Sequence, residues 1–275
     1  MQEYARGVAG GLLFSLPLLY TMEVWWAGFT AHPLRLAVYV AATFVLLLGY
    51  NEFAGLRRDT CFAEVVIDSV EEMGLGLLIA ALMLWLLGRV TAEMPAAEAL
   101  GKIVIEAMTV AIGVSVGTSQ LGGGDDEDSG VGGKAGAGRS GKRDETHFGT
   151  QLVLSLCGAV LFAANVAPTE EVVMIGVELP AWRLLGLAAL SLAMAALILY
   201  YSEFAGSEKH VRFDSHHDVA VGTVITYAIA LAASAMMLWF FGRFDGQAPA
   251  TWLAQTVVLG VAATLGASAG RLLLQ

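Results

Sequence analysis

The feature that most constrains this chain is a series of long apolar runs, each about as long as a helix that crosses a bilayer. A spanning helix needs roughly 20 apolar residues. Eight runs of that size occur, at about Val8–Ala27, Leu34–Gly55, Val66–Gly88, Ile103–Leu121, Phe148–Ala167, Trp182–Ala205, Val219–Gly242 and Trp252–Leu273. The hydrophobic fraction is 57% and the charged fraction only 15%, which is typical of an integral membrane protein. We therefore predict an all-α transmembrane fold of eight helices, with the lipid bilayer of a plasma membrane as its partner.

One polar segment interrupts this pattern and divides the chain into two parts. Residues 122–147 are rich in Gly, Asp, Ser, Lys and Arg, and they include the acidic run from Asp125 to Asp128. Such a composition buries too little apolar area to fold, so we expect a disordered linker. The predicted organisation is a first half at 1–121, the linker, and a second half at 148–275. The net charge of -10 and the lack of a basic patch disfavour nucleic-acid binding.

The two halves share four sequence blocks in the same order. The matched blocks are Thr21-Met22-Glu23-Val24 with Thr169-Glu170-Glu171-Val172, Asn51-Glu52-Phe53-Ala54-Gly55 with Ser202-Glu203-Phe204-Ala205-Gly206, Met83-Leu84-Trp85-Leu86-Leu87-Gly88-Arg89 with Met237-Leu238-Trp239-Phe240-Phe241-Gly242-Arg243, and Gly113-Val114-Ser115-Val116-Gly117 with Gly266-Ala267-Ser268-Ala269-Gly270. The offset between matched residues drifts only from 148 (171 minus 23) to 154 (239 minus 85). Small insertions between matched blocks produce a drift of this kind. The sequence therefore predicts a duplication in which each half is one four-helix repeat.

The basic residues predict the orientation of the helices. With the N-terminus inside, ten Lys and Arg residues fall on the inner side and five on the outer side, as the positive-inside rule favours. The inner set is Arg6, Arg57, Arg58, Lys134, Arg139, Lys142, Arg143, Lys209, Arg212 and Arg271, and the outer set is Arg35, Arg89, Lys102, Arg183 and Arg243. Both termini are then cytoplasmic, and an even number of helices in each half makes the repeats parallel. All six tryptophans fall at outer helix ends, where the membrane interface favours them.

An acidic residue recurs near the outer end of the first helix of each half, Glu23 in the first and Glu171 in the second. A carboxylate in an apolar segment is costly, and its hard oxygens can replace part of the hydration shell of a cation. We therefore expect this pair to bind a cation or a proton. The alternative is that both side chains lie in the headgroup zone and are simply solvated. Pro17 in one half and Pro168 in the other also predict an irregular helix beside each acid.

Other acids extend the set of candidate ion ligands. Glu106 is the most isolated acid within an apolar run, and Glu52 and Glu203 close the second helix of each half. We predict these three as secondary ion sites, with a structural salt bridge at the inner rim as the alternative for Glu52 and Glu203. Three further acids open the third helix, namely Asp68, Glu71 and Glu72. They would give a pathway an acidic inner mouth, although acids in a first helical turn also simply favour the helix dipole.

A Gly-x-Ser-x-Gly pattern occurs in the fourth predicted helix of each half. Its residues are Gly113, Ser115, Gly117, Gly266, Ser268 and Gly270. The pattern matches a hydrolase nucleophile elbow, which requires a strand-turn-helix context and a nearby His. Both copies lie instead within apolar runs that contain no His. Small residues at this spacing favour close helix packing in membranes, so we predict a central helix pair that packs across a pseudo-twofold axis, and no catalytic residue.

Histidines cluster before the seventh predicted helix. Their positions are His210, His216 and His217. Imidazoles can bind transition metals or titrate near neutral pH. The spacing fits no specific motif and the first half has no equivalent, so we expect a solvated loop. Neither a metal site nor a cofactor is predicted.

The doubled four-helix unit, with Thr-x-Glu-Val, Glu-Phe-Ala-Gly and Met-Leu-Trp-x-x-Gly-Arg, resembles an uncharacterised family of integral membrane proteins from bacteria and archaea. The resemblance covers nearly the whole chain except the linker, and it implies no activity. From the residues, the first hypothesis is a cation or proton channel or transporter, not an enzyme, with Glu23 and Glu171 as the ion site. The alternative is a non-catalytic membrane scaffold or sensor that acts through its cytoplasmic loops. A homo-oligomer stays open.

Overall fold

All regular secondary structure in the described part of the chain is helical, as the sequence predicts. The computed structural model describes residues 2–54, 62–120, 140–206 and 216–272. Its helices there are α1 Gln2–Leu19, α2 Met22–Thr30, α3 Pro33–Ala54, α4 Phe62–Leu86, α5 Ala96–Gln120, α6 Ser140–Val166, α7 Glu170–Glu178, α8 Ala181–Gly206, α9 His216–Phe240 and α10 Pro249–Leu272. A long helix, a nine-residue helix and three long helices follow one another twice.

Six of the described helices are long and apolar enough to cross a membrane. The spans are Pro33–Phe53, Ala96–Ser119, Gly149–Val166, Ala181–Tyr200, Val219–Phe240 and Pro249–Arg271. The first predicted span, Val8–Ala27, is divided between α1 and α2. The third, Val66–Gly88, lies largely in α4, a helix whose first half carries four acids. The total of eight spans, the parallel repeats and the cytoplasmic termini therefore stay predictions.

Helix α6 begins earlier than the fifth apolar run, which the sequence places at Phe148. Helix α6 begins at Ser140, inside the segment 122–147 that was predicted as a disordered linker. The final part of that segment is thus helical, because it continues directly into the apolar run that follows. Residues 121–139 lie outside the described chain.

The Met-Leu-Trp-x-x-Gly-Arg block has a structural explanation at the ends of α4 and α9. Gly88 and Gly242 have φ values of +68° and +72°, a backbone conformation that side chains with a β-carbon rarely adopt. After each glycine, the arginine N–H returns to a helix carbonyl, from Arg89 to Leu84 O at 2.7 Å and from Arg243 to Leu238 O at 2.9 Å. This is the glycine-based helix end expected at these positions, and it places both arginines at the same side of the protein.

The small residues of the first Gly-x-Ser-x-Gly pattern lie where α5 packs against α1. A β-carbon at Gly113 would lie 3.1 Å from the carbonyl oxygen of Gly10, and one at Gly117 would lie 2.5 Å from its Cα. The two helix backbones therefore approach more closely than any larger residue would permit. Ser115 is buried on the same helix and donates a hydrogen bond to Asn51 Oδ1 at 3.3 Å.

The second copy packs in the same manner inside the second half. β-Carbons at Gly266 and Gly270 would collide with backbone oxygens of Gly158 and Leu154, so α10 packs closely on α6. Ser268 is buried there, and its Oγ has no hydrogen-bond partner in the part of the chain that the structure describes. The predicted central pair of α5 and α10 is wrong. Each stripe of small residues packs on the first helix of its own half, because that helix carries the matching glycine.

The two halves meet through one pair of corresponding helices, α1 and α6, and otherwise through unlike helices. Helix α6 packs against α1, α3 and α5, and α3 also reaches α9, where the rings of Tyr39 and Phe240 stack at 4.1 Å. Asn165 of α6 donates a hydrogen bond across the boundary to Phe14 O at 3.2 Å. By sequence order α8 corresponds to α3, but among the described residues it makes no comparable contact with the first half. The join therefore departs from twofold symmetry.

The crevice between the halves is apolar. Its lining comes from α1, α3, α5, α6 and α10 and includes Phe14, Val116, Leu161 and Phe162, with Tyr50 and Cys157 as the polar contributors. Asn165 also lies at the boundary, and its buried Oδ1 has no hydrogen-bond partner in the described residues. The crevice itself offers few groups that could replace the water around an ion.

Candidate functional site

A break in the first helix of each half confirms the predicted irregularity. Helix α1 ends at Leu19 and α2 begins at Met22, while α6 ends at Val166 and α7 begins at Glu170. Pro17 lacks the N–H that would continue the α1 hydrogen-bond ladder. Thr21 and Thr169, the first residues of the duplicated Thr-x-Glu-Val block, have extended backbones with ψ values of 113° and 150°.

The two threonines terminate the preceding helix and do not cap the next one. Thr21 Oγ1 donates a hydrogen bond to Pro17 O at 2.8 Å, and Thr169 Oγ1 donates to Val166 O at 2.8 Å. Neither side chain caps the short helix that follows. The acids Glu23, Glu170 and Glu171 occupy the first turns of α2 and α7, where the helix dipole favours negative charge.

Both duplicated acids lie near the same arginine. The guanidinium of Arg243, in the connection between α9 and α10, interacts electrostatically with the carboxylates of Glu170, Glu23 and Glu171. Its partial burial lowers the pKa of Arg243, and these carboxylates oppose that shift. Glu171 is exposed and Glu23 half-buried. The duplicated pair therefore forms a solvent-accessible, net negative cluster around Arg243 and not an enclosed ion cage.

An ion pair links the two halves next to the acidic cluster around Arg243. Arg35 at the start of α3 binds Asp245 in the α9–α10 connection through two contacts, Nη1 to Oδ2 at 2.7 Å and Nη2 to Oδ1 at 2.6 Å. The same guanidinium lies 5.5 Å from the ring centre of Trp239. The hydrogen bond from Arg35 lowers the pKa of Asp245.

A double-mutant cycle with Arg35→Gln and Asp245→Asn should give a coupling energy of about 0.2–1 kcal/mol at pH 7, because the pair is exposed. Because the pKa of Asp245 is lowered, this stability is fully present above about pH 4, the pKa of Asp in the unfolded chain. The stability is lost as the pH falls through the lower pKa that Asp245 has in the folded protein. Denaturant unfolding of the four proteins measures the coupling. Additive single effects at pH 7 would show that the pair contributes nothing.

Glu106 is the most completely buried acid among the described residues. It lies on α5, about 15 Å along the helix from Ala96 at 1.5 Å per residue. Its relative exposure is 0%, and neither carboxylate oxygen has a hydrogen-bond partner in the described chain. The Tyr39 hydroxyl interacts electrostatically with Glu106 and shares a 3.0 Å hydrogen bond with Thr109. A carboxyl group without partners in such a place is stable only when protonated.

Glu106 lies at the level of the break between α1 and α2. Gly11 packs against Val110 of α5, and Gly28 packs against Lys102, nearer the start of α5. The break between α1 and α2 lies between Gly11 and Gly28. Glu106 lies between their two contact points on α5, Val110 and Lys102. In the second half Gly176 packs against Gln255, which is fully buried with both side-chain polar atoms unpartnered in the described residues. Unsatisfied polar groups thus adjoin both broken helices.

A second polar group of side chains joins α3, α4 and α5 in the first half. Asn51 of α3 donates from Nδ2 to Ser69 Oγ at 3.0 Å and to Glu72 Oε2 at 2.9 Å, both on α4. Ser115 of α5 donates to Asn51 Oδ1 at 3.3 Å. We call these four residues the Asn51 cluster. Ser69 could have been found from the sequence, since it lies three residues before Glu72 on one helix face.

The remaining predicted residues do not join these sites. Asp68 is half-buried and Glu71 exposed on α4, where Glu71 accepts a 3.4 Å hydrogen bond from Tyr4. Glu52 is exposed near the end of α3, and Glu203 falls near the end of α8. His216 and His217 open α9, and His210 lies outside the described residues.

The sequence profile of one family matches almost the entire chain. Its description is "Putative integral membrane protein (DUF2391)", and the match covers residues 3–274. The protein therefore belongs to this family of integral membrane proteins, as the resemblance in its sequence indicated. No curated protein and no solved structure matches the chain.

Proposed function

We propose that the protein transports protons or small cations across its membrane, with Glu106 as the proton-carrying group. The observation that carries the proposal is the complete burial of the Glu106 carboxyl without a hydrogen-bond partner in the described residues. A buried acid that stabilised the fold would have partners, because an unpaired carboxyl costs stability. Its retention is explained if it accepts and releases a proton during transport.

The broken helices support this proposal. Interrupted helices at corresponding positions in two halves are typical of transporter binding sites, because the break frees backbone groups and gives the chain a hinge. Here one break adjoins the α5 segment that carries Glu106. A shift of α2 relative to α1 would alternately cover and open this segment. The cluster of Glu23, Glu170 and Glu171 would raise the concentration of cations at its outer side.

Proton flux into proteoliposomes tests the proposal directly. With an imposed pH gradient and an enclosed pH-sensitive dye, we expect protein-dependent acidification that Glu106→Gln reduces at least tenfold. Glu178→Gln, which removes an exposed acid of α7, is the matched control and should leave the rate unchanged. The double variant Glu23→Gln/Glu171→Gln should reduce the rate only a few-fold, since those acids act at the outer mouth.

Two results would overturn the proposal. One is equal flux in wild type and Glu106→Gln, which would make the buried acid irrelevant to transport. The other is the absence of any protein-dependent movement of H⁺, Na⁺ or K⁺ in correctly folded protein. That second result would favour the scaffold or sensor function expected as the alternative from the sequence.

A further inference from the structure

Tyr39 connects the helix segment that carries Glu106 to the second half of the protein. Its hydroxyl shares a 3.0 Å hydrogen bond with Thr109 of α5, and its ring stacks on Phe240 of α9 with ring centres 4.1 Å apart. Tyr39 and Phe240 are both buried, with relative exposures of 6% and 4%. Arg35, one turn earlier on α3, forms the ion pair with the α9–α10 connection. Two contacts one turn apart therefore hold this face of α3 against the end of α9.

Helix spacing places the Tyr39 hydroxyl close to the Glu106 carboxyl. Thr109 follows Glu106 by three residues, so the two side chains are neighbours on one face of α5, with β-carbons about 5–6 Å apart. The Tyr39 hydroxyl, which is bound to Thr109, therefore lies beside Glu106, and the two groups interact electrostatically. Both Glu106 oxygens are buried and have no hydrogen-bond partner among the described residues. The tyrosine thus has a second acceptor close to the one that it uses.

The other helices that pack on this segment present uncharged groups to Glu106. The contacts of α1, α2 and α4 with α5 fix the depth of each neighbour. At the depth of Glu106 these helices contribute the buried residues Ser15, Leu18, Val24, Ile79 and Ala80, and α6 contributes Asn165. Lys102, one turn away on α5, binds Glu98 at 2.6 Å, and Glu23 of α2 belongs to the accessible acidic cluster. Within the described chain, Tyr39 is thus the titratable side chain that faces Glu106 from a neighbouring helix.

We propose that Tyr39 is the positioning residue of Glu106, and that its hydroxyl turns from Thr109 to the carboxylate once Glu106 has released its proton to water. The carboxylate is then a better acceptor than the threonine hydroxyl, because hydrogen bonds to ionised groups are about twice as strong as neutral ones. The stack on Phe240 holds the ring so that a small rotation moves the hydroxyl between the two acceptors. The proposal deepens the transport function and rests on it, since it explains how the bundle tolerates the ionised acid.

The titration of Glu106 tests this role without any transport. It is followed by infrared absorption of protonated carboxyl groups in lipid nanodiscs, where the Glu106 band is the one that Glu106→Gln removes. Tyr39→Phe keeps the stack on Phe240 and removes the donor, so the ionised form is less stable and the titration midpoint should rise by about 1–2 pH units. Thr109→Val removes the competing acceptor, so the midpoint should fall. A simple loss of packing would not shift the midpoint in opposite directions.

Tyr50→Phe is the matched control. It removes an equally buried hydroxyl of α3, which bonds Ser119 of α5, 13 residues from Glu106 (119 minus 106). That separation is about 20 Å along the helix, so the midpoint should stay unchanged. An unchanged midpoint in Tyr39→Phe would overturn the role of Tyr39. Shifts in the same direction in Tyr39→Phe and Thr109→Val would also overturn it, as would a wild-type Glu106 band that does not titrate.

The role of Tyr39 and the proposed transport fail separately. Glu106-dependent proton flux, with the same titration midpoint in wild type and Tyr39→Phe, would retain transport and remove the tyrosine from it. Opposite shifts in Tyr39→Phe and Thr109→Val without any flux would retain the hydrogen bond to the carboxylate and remove transport.

Discussion

Substitution of Gly158 by alanine should destabilise the protein by about 1–3 kcal/mol, and substitution by leucine by more. A β-carbon at Gly158 would overlap the carbonyl oxygen of Gly266 on α10, and backbone atoms of two packed helices cannot retreat as a flexible side chain can. This contact joins α6 and α10, the first and last helices of the second half. Gly10 is the equivalent in the first half, where a β-carbon would meet backbone atoms of Gly113 and Gly117. Gly10→Ala should therefore have a similar effect.

Unfolding of the purified variants in mixed detergent measures these changes. Gly74→Ala and Gly186→Ala are the controls, since added β-carbons there meet nothing within 4 Å. Both lie within helices, where alanine is favoured over glycine by about 1 kcal/mol. The controls should thus be as stable as wild type or more stable. Equal behaviour of Gly158→Ala and Gly74→Ala would contradict the close approach of α6 and α10.

Glu106→Leu should give a more stable protein that no longer moves protons. Leucine is the residue at the corresponding position of α10, Leu259, where it is fully buried. The substitution removes two buried oxygens without partners in the described chain, each of which costs about 1–3 kcal/mol when unsatisfied. A stability gain with loss of activity is the pattern expected of a residue kept for function at the expense of the fold.

The same unfolding assay and the flux assay, applied to one preparation, measure both parts. Glu106→Gln is the informative comparison, because it keeps the polar atoms and their cost while it removes the proton. It should lose flux with little gain in stability. A loss of stability in Glu106→Leu would show that the acid makes contacts that hold the bundle together, and its role would then be structural.

Much of the helical layout follows from the sequence for clear physical reasons. Apolar runs long enough to span a bilayer can satisfy their backbone hydrogen bonds only as helices. The Gly-Arg pairs at 88–89 and 242–243 mark helix ends, because glycine alone readily adopts the positive φ found there. The break beside Glu23 was predictable from Pro17, which lacks an N–H. The start of α6 was misplaced, because composition alone does not show where a polar segment becomes the first turns of a helix.

The candidate sites were harder to predict, because they depend on which helix faces meet. Glu23 and Glu171 have the strongest sequence signal, but the structure places them in an accessible cluster around Arg243. Glu106 was identified from its isolation in an apolar run. Asn51 and Ser69 were missed, since hydroxyl and amide residues give no signal until α3, α4 and α5 bring them together. The packing of α5 on α1 likewise depends on a partner glycine, Gly10, that periodicity does not identify.

The join between the halves has a consequence for how such a protein could have originated. Apart from the contact between α1 and α6, unlike helices meet, α3 of one half against α6 and α9 of the other. Helix α8, which corresponds to α3, has no such neighbour among the described residues. On the predicted duplication, separate ancestral units joined in this way would continue head to tail until a ring closed. Fusion into one chain gives the two units permanently different neighbours. Each was then free to diverge, one towards Glu72 and Glu106 and the other towards Thr226 and Leu259.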